Sequence, residues 1–457
     1  MVIATNNRFW RNTMGSHARV LAVYRHFVAV GWEVHVAFLG SLNAEDLATI
    51  DGLGLPVFPS WPATAPAQPA RTPTTPTPTP TPAARPVASR LRNLYTQTRR
   101  HLRAVLTQPQ RGWPAGGPRA WWRELTLRAQ EPRVSDWMDP RHLARVESLC
   151  RSVQPACVLV EYVHFAWLAK AMQSRVPVDG ETAESAARAA KPVWMLDTHD
   201  VMHERQQRFH ATGEVHGLDI SRAEEAALIS WFDVVMAIQR RDAGLLQSMH
   251  PRGRVVCVMH PQELVPPSGV VNRPVGVAFL GSKMAPNVRA VRELLLDIWP
   301  RVRRACPGAA RLLVAGAVCE GLEQGLGLPD GPGSDVSLLG FVDNLDDLYG
   351  QIDIVASPIR IGGGLKIKNI DALCRGKALV TTSVGAEGLE DGAGTAFVQA
   401  DAAADFAQAL CRLIACAAER GALQQAAFAF ASERFSEDAV FRELDATLSD
   451  LTASRLA

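Results

Sequence analysis

The feature that most constrains the fold is an alternation of short apolar strands with amphipathic helices, which runs along the chain in two series. The first series opens within residues 1–50 as a strand, a helix over about 17–30 and a second strand. The pattern resumes at Cys157, and a second series begins at Val275 and ends in helices. Alternation of this kind predicts parallel sheets with helices on both faces.

The two series are similar in length, and a stretch with four prolines, residues 260–274, indicates a linker between them. We therefore predict an α/β protein with two Rossmann-like, doubly wound domains that face each other across a cleft. The predicted domains are 1–262 and 273–436. They are followed by a helix over 437–457, for which we consider a path back to the first domain.

One stretch of the first domain does not follow the alternation, and we interpret it as an insertion over about 56–150. Residues 56–86 contain 11 prolines and favour an extended, polyproline-like linker. Residues 85–130 carry ten arginines, three tryptophans and Glu124 as their single acid. Arginines interleaved with tryptophans suit an anionic membrane surface. A lid that packs on its own domain is the alternative.

Composition narrows the class of protein further. The 457 residues are 47% hydrophobic and carry a formal charge of only +2, so the chain lacks the strong positive field of a dedicated nucleic-acid binder. The eight cysteines form no C-x-x-C pair, which is typical of reduced thiols in the cytosol. We find no signal peptide and no run of about 20 apolar residues. We therefore expect a cytoplasmic protein, peripheral on the inner membrane face if the arginine-rich segment binds lipid.

The clearest chemical signal follows a buried strand of the second series. The segment PIRIGGGLKIKNID, residues 358–371, leads from that strand into a helix. Gly362, Gly363 and Gly364 can bring backbone N–H groups close to an anion at the helix N-terminus. Lys366 adds a cation that would otherwise be unfavourable at this end of a helix, which favours a bound phosphate. The alternative is a glycine-rich loop with a solvated lysine.

Asp371 shares an otherwise apolar face of the predicted helix with Ile367 and Cys374. That face should point inward, so the carboxylate needs a partner. Ribose hydroxyls are suitable donors, as in dinucleotide sites. A local pair with Lys368 or Arg375 is the alternative.

His199 follows a predicted strand in the run DTHD, and three roles are open for it. With His203 and Glu204 it has the helical spacing of metal ligands, but the order is not H-E-x-x-H and a base for zinc chemistry is missing, so we predict no metal. It could instead be a structural histidine satisfied by Asp197 or Asp200. The third role is in binding or catalysis.

These motifs together resemble the retaining, GT-B-fold nucleotide-sugar glycosyltransferases of glycosyltransferase family 4. Residues 358–377 are similar to the family's donor-site signature, and FLGSKMAPN at 279–287 is similar to the start of its C-terminal domain. The segment DTHDVMHERQQRF at 197–209 resembles members that build bacterial surface polysaccharides. Gly15 matches the glycine-containing first loop near the acceptor. The resemblance covers most of the chain outside 56–150.

The resemblance implies roles for individual donor-side residues. Asp371 takes the place of the acid that holds the donor ribose, where the family more often has Glu. Lys366 and Lys283 become candidates for the diphosphate. Gly363 stands where many relatives carry an acid that contacts the sugar, and this departure leaves the donor sugar open.

The resemblance also implies a catalytic pair and a second donor-side contact. His199 matches a region whose histidine lies near the reacting sugar, so His199 and Lys366 are the catalytic candidates. Glu387 and Gly388 resemble the family's turn after the donor helix, an ordinary turn being the alternative. The acceptor side is then formed by Gly15, Asp197 and Asp200.

The implied activity is transfer of a sugar from a nucleoside diphosphate sugar to a glycan or lipid-linked glycan, with retention and without a metal or other cofactor. We expect no nucleic-acid partner. Two alternatives remain open. A nucleotide-sugar epimerase of the same fold would act without an acceptor, and a non-catalytic sugar-nucleotide or glycan-binding protein would bind without turnover.

Overall fold

The structure of the protein is a computed structural model that describes residues 1–11, 15–58, 117–174, 191–267, 269, 274–322 and 334–456. The proline-rich run and most of the arginine-rich segment lie at 59–116, outside the described residues, so the predictions made for them stay predictions. Within the described ranges, no helix combines the length and the apolar character that a membrane crossing requires.

Two sheets organise the described residues. The strands of the first are β1 (Val2–Thr5), β2 (His35–Phe38), β3 (Val57–Phe58), β4 (Cys157–Glu161), β5 (Val193–Asp197), β6 (Val234–Ala237) and β7 (Arg254–Cys257). The strands of the second are β8 (Val275–Leu280), β9 (Ala310–Ala315), β10 (Val336–Gly340), β11 (Ile354–Ser357), β12 (Ala378–Thr381) and β13 (Val398–Gln399).

Helices connect the strands. In the first half they are α1 (Gly15–Ala29), α2 (Ala44–Gly52), α3 (Gly117–Arg128), α4 (Pro140–Val153), α5 (Trp167–Gln173), α6 (Met202–Thr212), α7 (Arg222–Ile229) and α8 (Arg240–Met249). In the second half they are α9 (Ala285–Glu293), α10 (Trp299–Ala305), α11 (Leu345–Tyr349), α12 (Ile367–Cys374), α13 (Ala403–Ala415), α14 (Ala417–Phe435) and α15 (Glu437–Leu456).

Both sheets are parallel and share one strand order. The first sheet has the order β3-β2-β1-β4-β5-β6-β7 and the second has β10-β9-β8-β11-β12-β13. The order along the sheet therefore reverses between β1 and β4 in the first and between β8 and β11 in the second. The central strands are buried on both faces, which explains their continuous apolar sequences. The predicted α/β class with two doubly wound domains is confirmed. Ligands of such sheets bind at the carboxyl ends of the strands near the reversal.

Helix α4 belongs to the core of the first half. It begins at Pro140, where Asp139 caps the N-terminus by accepting from the backbone N–H of Arg141. Val146 and Leu149 are fully buried against the first sheet. The predicted insertion boundary at about residue 150 therefore falls inside a core helix.

The terminal helix α15 packs on the first sheet although it follows the second in sequence. Phe441 and Leu444 are buried in one cluster with Phe27 of α1. The imidazole of His26 stacks on the Phe441 ring at a centroid distance of 3.8 Å, and its Nε2 lies 2.9 Å from Asp445. This helix ties the two halves together.

The two halves also meet at the edge where their strands end. A Cβ placed on Gly15, the first residue of α1, would lie 2.6 Å from Ile367 at the start of α12. Nearby, Arg289 of the second half forms an ion pair with Glu214 of the first at 2.5 Å. The cleft between the sheets thus lies at the carboxyl ends of both.

Candidate functional site

The glycine loop, residues 362–364, connects β11 to α12. Gly362 and Gly364 have φ angles of +124° and +69°, values that side chains other than glycine rarely adopt. Lys366 occupies the N-cap position of α12 and makes no side-chain cap. Its Nζ donates to the backbone oxygens of Gly364 at 2.6 Å and Gly363 at 3.3 Å. The loop and the lysine therefore form one local unit, as the sequence predicts.

Glu387 brings cations from both halves to this unit. Its carboxylate lies 3.6 Å from Lys366 Nζ, 2.6 Å from Arg208 Nη1 and 3.2 Å from Arg241 Nη1. Arg208 lies on α6 and Arg241 on α8, both in the first half, and both also contact Glu204. Burial lowers the pKa of Lys366 below its ordinary value, while Glu387 opposes that shift. Three cations thus converge on one acid.

Asp200 of the first half lies against the glycine loop. A Cβ on Gly364 would come within 2.6 Å of Asp200 Oδ1, and one on Gly363 within 3.1 Å of Arg208 Nη1. The Asp200 carboxylate also pairs with Arg205 at 3.0 Å. Glycine at both positions allows the polar groups of the first half to approach the backbone of the second. The predicted acceptor-side acid therefore adjoins the predicted donor loop.

The carboxylate of Asp371 has local partners. Arg375 Nε donates to Asp371 Oδ1 at 3.0 Å, the i,i+4 pair that was the alternative to a ribose contact. Burial raises the pKa of Asp371 above its ordinary value, against the opposing effects of Tyr349 and Arg375. The second half alone supplies all of these groups.

Lys368 lies one position beyond the start of α12 and points into the second half. Its Nζ donates to Asn287 Oδ1 at 2.6 Å and sits 4.2 Å from the centroid of the Phe279 ring. Burial, with a smaller effect of Lys366, lowers the pKa of Lys368 to about 7. Lys368, the other partner considered for Asp371 in the alternative to a ribose contact, thus contacts a neutral amide and a ring instead.

Two further predicted donor residues lie at different places. The side chain of Lys283 is 61% exposed and pairs with Glu320 at 3.3 Å. Gly388 has a φ angle of +83°, and a Cβ there would lie 2.5 Å from Gln239 Oε1 across the cleft. Gly388 therefore adjoins the convergence of cations at Glu387, whereas Lys283 has its own acidic partner at the surface.

His199 lies at the carboxyl end of β5, on the side of the first half that faces the cleft. Its backbone is left-handed, with a φ angle of +58°, and its Nε2 lies 2.6 Å from Glu161 Oε2 at the end of β4. The ring stacks on Tyr162 at a centroid distance of 4.0 Å, and Tyr162 also has a positive φ angle, +69°. Strained residues held in this way are common at functional sites.

Asp197 is held by a buried arginine. Arg19 Nε and Nη2 donate to its two carboxylate oxygens at 2.7 and 2.9 Å. Burial opposes ionisation of Asp197, but Arg19 and His199 lower its pKa below the ordinary value. Burial and the charge of Asp197 raise the pKa of Glu161. The four groups form one buried ionic cluster.

Glu161, Asp197 and His199 each offer a ligand atom, and these atoms lie within 4.8 Å of one another. These atoms already have partners within the protein, since Arg19 donates to both oxygens of Asp197 and His199 Nε2 lies 2.6 Å from Glu161 Oε2. His199 and His203 do not share a partner among the described residues, although their spacing is that of helical metal ligands. His203 Nδ1 lies 2.7 Å from Glu225, an acid that also accepts from the first backbone N–H groups of α6.

A cavity of about 490 Å³ opens between the halves beside the glycine loop. Its polar lining comes from Arg208, Thr212, Arg241, Arg360, Ser383, Glu387 and Glu390. This volume suits a small-molecule ligand.

The structure brings most of the predicted residues to the cleft and adds three that sequence reasoning missed. The added residues are Arg208, Arg241 and Glu161. Arg241 and Glu387 are 146 residues apart, and no spacing rule connects residues so distant. The signal for Glu161 was its position at the end of a strand next to the one that carries His199, where parallel strands deliver their next residues to one edge.

The second half of the chain is similar to a known family. The sequence model of the family described as Glycosyl transferases group 1 matches residues 274–416, which hold the second sheet and the glycine loop. No curated protein matches the chain.

Solved structures match over the whole chain. A sucrose-phosphate synthase from Thermosynechococcus elongatus has a TM-score of 0.60 at 13% identity, with 99% of this chain and 100% of that one covered. HepE from Anabaena, solved with UDP and glucose, has a TM-score of 0.55 at 13% identity, with 98% and 99% covered. A glycosyltransferase from Rickettsia africae has a TM-score of 0.53 at 11% identity, with 98% and 97% covered.

At these identities the structural matches show the fold. The family model adds a sequence match for the domain that carries the glycine loop. The chain therefore has the two-domain GT-B fold, and its second half carries a Glycosyl transferases group 1 domain.

Proposed function

We propose that this enzyme transfers a sugar from a nucleoside diphosphate sugar to a glycan or lipid-linked glycan acceptor, with retention of the anomeric configuration and without a metal ion. The observation that carries the proposal is the glycine loop with Lys366 at the N-terminus of α12, in the cleft between the sheets. Structural neighbours solved with UDP and with UDP-glucose support a nucleotide-sugar donor.

The donor would lie mainly on the second half. Backbone N–H groups at 362–364 and the Lys366 ammonium would bind the diphosphate, which suits the positive end of a helix. Asp371 would accept a hydrogen bond from the ribose beside Arg375. Lys283 would reach the phosphates from the loop after β8 after leaving Glu320, and Gly388 would lie at the opposite side of the cradle.

The reaction requires charge stabilisation and orientation. The bond between the anomeric carbon and the diphosphate oxygen breaks, its electron pair leaves with the diphosphate, and an acceptor hydroxyl forms the new bond on the same face. The hydroxyl proton passes to the departing phosphate oxygen. Donors placed in advance around that oxygen lower the barrier because they need no reorganisation during the reaction.

His199 would act on the reacting sugar from the first half. Glu161 and the ring of Tyr162 fix its imidazole by a hydrogen bond and a stack, so the ring keeps one orientation at the cleft. Gly15, Asp197 and Asp200 would shape the acceptor side, Asp197 acting through the buried cluster with Arg19. Fixed orientation of the reacting groups is one of the contributions that a protein makes to such a step.

The first experiment is a panel of nucleotide sugars, incubated with the enzyme and a glycolipid extract and monitored by release of nucleoside diphosphate. We expect release with one donor class, unchanged by EDTA. Loss of turnover in EDTA that returns with added metal would contradict metal independence. Isomerised donor without acceptor would instead indicate an epimerase, and binding without any turnover would indicate a non-catalytic protein.

Two variants test the site with the donor so identified. Lys366→Ala should weaken nucleoside diphosphate binding at least about ten-fold, because a charge-assisted contact is lost. His199→Ala should lower turnover and leave that affinity unchanged. His203→Ala is the matched control for His199, since His203 has its own buried acid away from the cleft. Wild-type affinity in Lys366→Ala would remove the donor assignment.

A further inference from the structure

We infer that Arg208 and Arg241, contributed by the first domain, bind the donor diphosphate, and that Glu387 holds these arginines until the donor arrives. The inference rests on the proposed nucleotide-sugar donor and adds ligands from the opposite side of the cleft. It also gives Glu387 the role of an anion that the donor diphosphate displaces.

The first observation is the origin of the cations around Glu387. Lys366 comes from the loop before α12, whereas Arg208 and Arg241 come from α6 and α8 of the other half. Arg208 Nη1 also lies 3.5 Å from the backbone oxygen of Gly362, so its guanidinium reaches the glycine loop itself. An anion bound at the loop would be within reach of all three side chains.

The second observation is that one oxygen of the Glu387 carboxylate is buried without a hydrogen-bond partner among the described residues. The carboxylate is largely buried, with 12% of its side chain exposed, yet its Oε2 makes no hydrogen bond within the described residues and lies 3.6 Å from Lys366 Nζ. Glu204 shares both arginines, at 2.9 Å from Arg241 and 3.5 Å from Arg208. Two acids thus share the ion pairs of three cations, and Asp200 adds negative charge beside Lys366.

A diphosphate would satisfy this arrangement better than Glu387 does. It carries more negative charge than one carboxylate, and its oxygens can accept from several donors at once. Guanidinium groups match phosphate oxygens with two parallel N–H donors. The adjoining cavity of about 490 Å³, lined by both arginines and by Gly362, leaves room for the exchange of Glu387 for phosphate.

A permanent ion-pair lock between the domains is the competing explanation. It predicts that loss of Arg208 loosens the two halves in the same way as loss of any other pair that joins them. The chain offers a matched control in Arg289, which pairs with Glu214 across the domains at 2.5 Å. Arg289 does not line the cavity.

The experiment is isothermal titration of the full-length protein with UDP, GDP, ADP, CDP and dTDP, followed by titration of the best of these and of its nucleoside. We expect Arg208→Gln and Arg241→Gln each to lose at least about ten-fold affinity for the diphosphate and none for the nucleoside. Arg289→Gln should stay within about two-fold of wild type. Glu387→Gln should bind the diphosphate several-fold more tightly, because the competing anion is removed.

Three results would overturn the inference while the proposed function stands. They are equal effects of Arg208→Gln and Arg289→Gln, equal losses for the nucleoside and its diphosphate, and unchanged or weaker diphosphate binding by Glu387→Gln. A wild-type protein that binds none of the five diphosphates would contradict the proposed function itself. Thermal unfolding of each variant separates a folding defect from a lost ligand.

Discussion

Lys368 is a buried lysine whose ammonium group contacts uncharged neighbours. Its ammonium group contacts the amide oxygen of Asn287 and the face of the Phe279 ring, and neither carries a negative charge. Lys366 adds repulsion to the effect of burial. An ammonium in such surroundings loses its proton more readily than one in water.

This position predicts a dependence of stability on pH. The pKa of Lys368 falls from 10.5 to about 7 on folding, so between these values the unfolded chain binds the proton more tightly and stability rises with pH. Lys368→Met should lack this increase. The melting temperature of wild type, relative to the variant, should therefore rise from pH 7 to pH 10.

Lys170→Met is the control, because Lys170 is an exposed lysine that lies over the Trp231 ring. Its melting temperature relative to wild type should change little over the same pH range. A difference between wild type and Lys368→Met that stays constant from pH 7 to pH 10 would contradict the assignment.

At the scale of elements, α15 decides how the two halves are held. The helix leaves the second half after α14 and places Phe441 and Leu448 among the apolar side chains of the first sheet. Its sequence alternates buried and exposed positions at helical spacing, as an element packed on one side does. A contact of this kind makes the stability of the first half depend on the end of the chain.

Phe441→Ala should therefore destabilise the first half. The side chain is fully buried and stacks on His26, and truncation of a buried Phe costs about 3–5 kcal/mol in free energy of unfolding. Denaturation followed by the fluorescence of the first half's tryptophans would measure the effect. Glu443→Ala, on the exposed side of the same helix, should change the midpoint little, and equal effects of both would contradict this packing.

At the scale of the whole molecule, the small net charge hides an uneven distribution. The formal charge is +2, yet ten arginines fall within residues 85–130 against Glu124 alone, so the remainder of the chain is acidic overall. Basic residues concentrated in one segment act over about a Debye length on an anionic surface. We therefore propose that this segment attaches the enzyme to anionic membranes.

Sedimentation with vesicles tests the attachment. The protein should bind vesicles that contain phosphatidylglycerol, bind neutral phosphatidylcholine vesicles weakly, and dissociate as salt is raised, because screening weakens each contact. Deletion of 85–130 should abolish binding. Undiminished binding after the deletion, or binding that is insensitive to salt, would assign the segment instead to a lid on its own domain.

Much of the fold could be predicted because it depends on local patterns. The apolar runs at β4, β5 and β11 are buried on both faces of parallel sheets. Such unbroken runs are easily distinguished from the helical spacing of apolar residues in the segments between them. The helix start at Lys366 followed from glycines placed after a strand. The end of the predicted insertion did not, because α4 packs into the core with a sequence rich in arginine.

The sequence by itself determined the two doubly wound halves and the glycine loop with Lys366, since each depends on neighbours within a few residues along the chain. Only the tertiary structure decided that Arg208 and Arg241 meet Glu387 and that His199 meets Glu161. These pairs join different strands and different halves. Ion pairs and hydrogen bonds act over a few ångströms, so their partners are chosen by how the sheets and helices pack rather than by spacing in the chain.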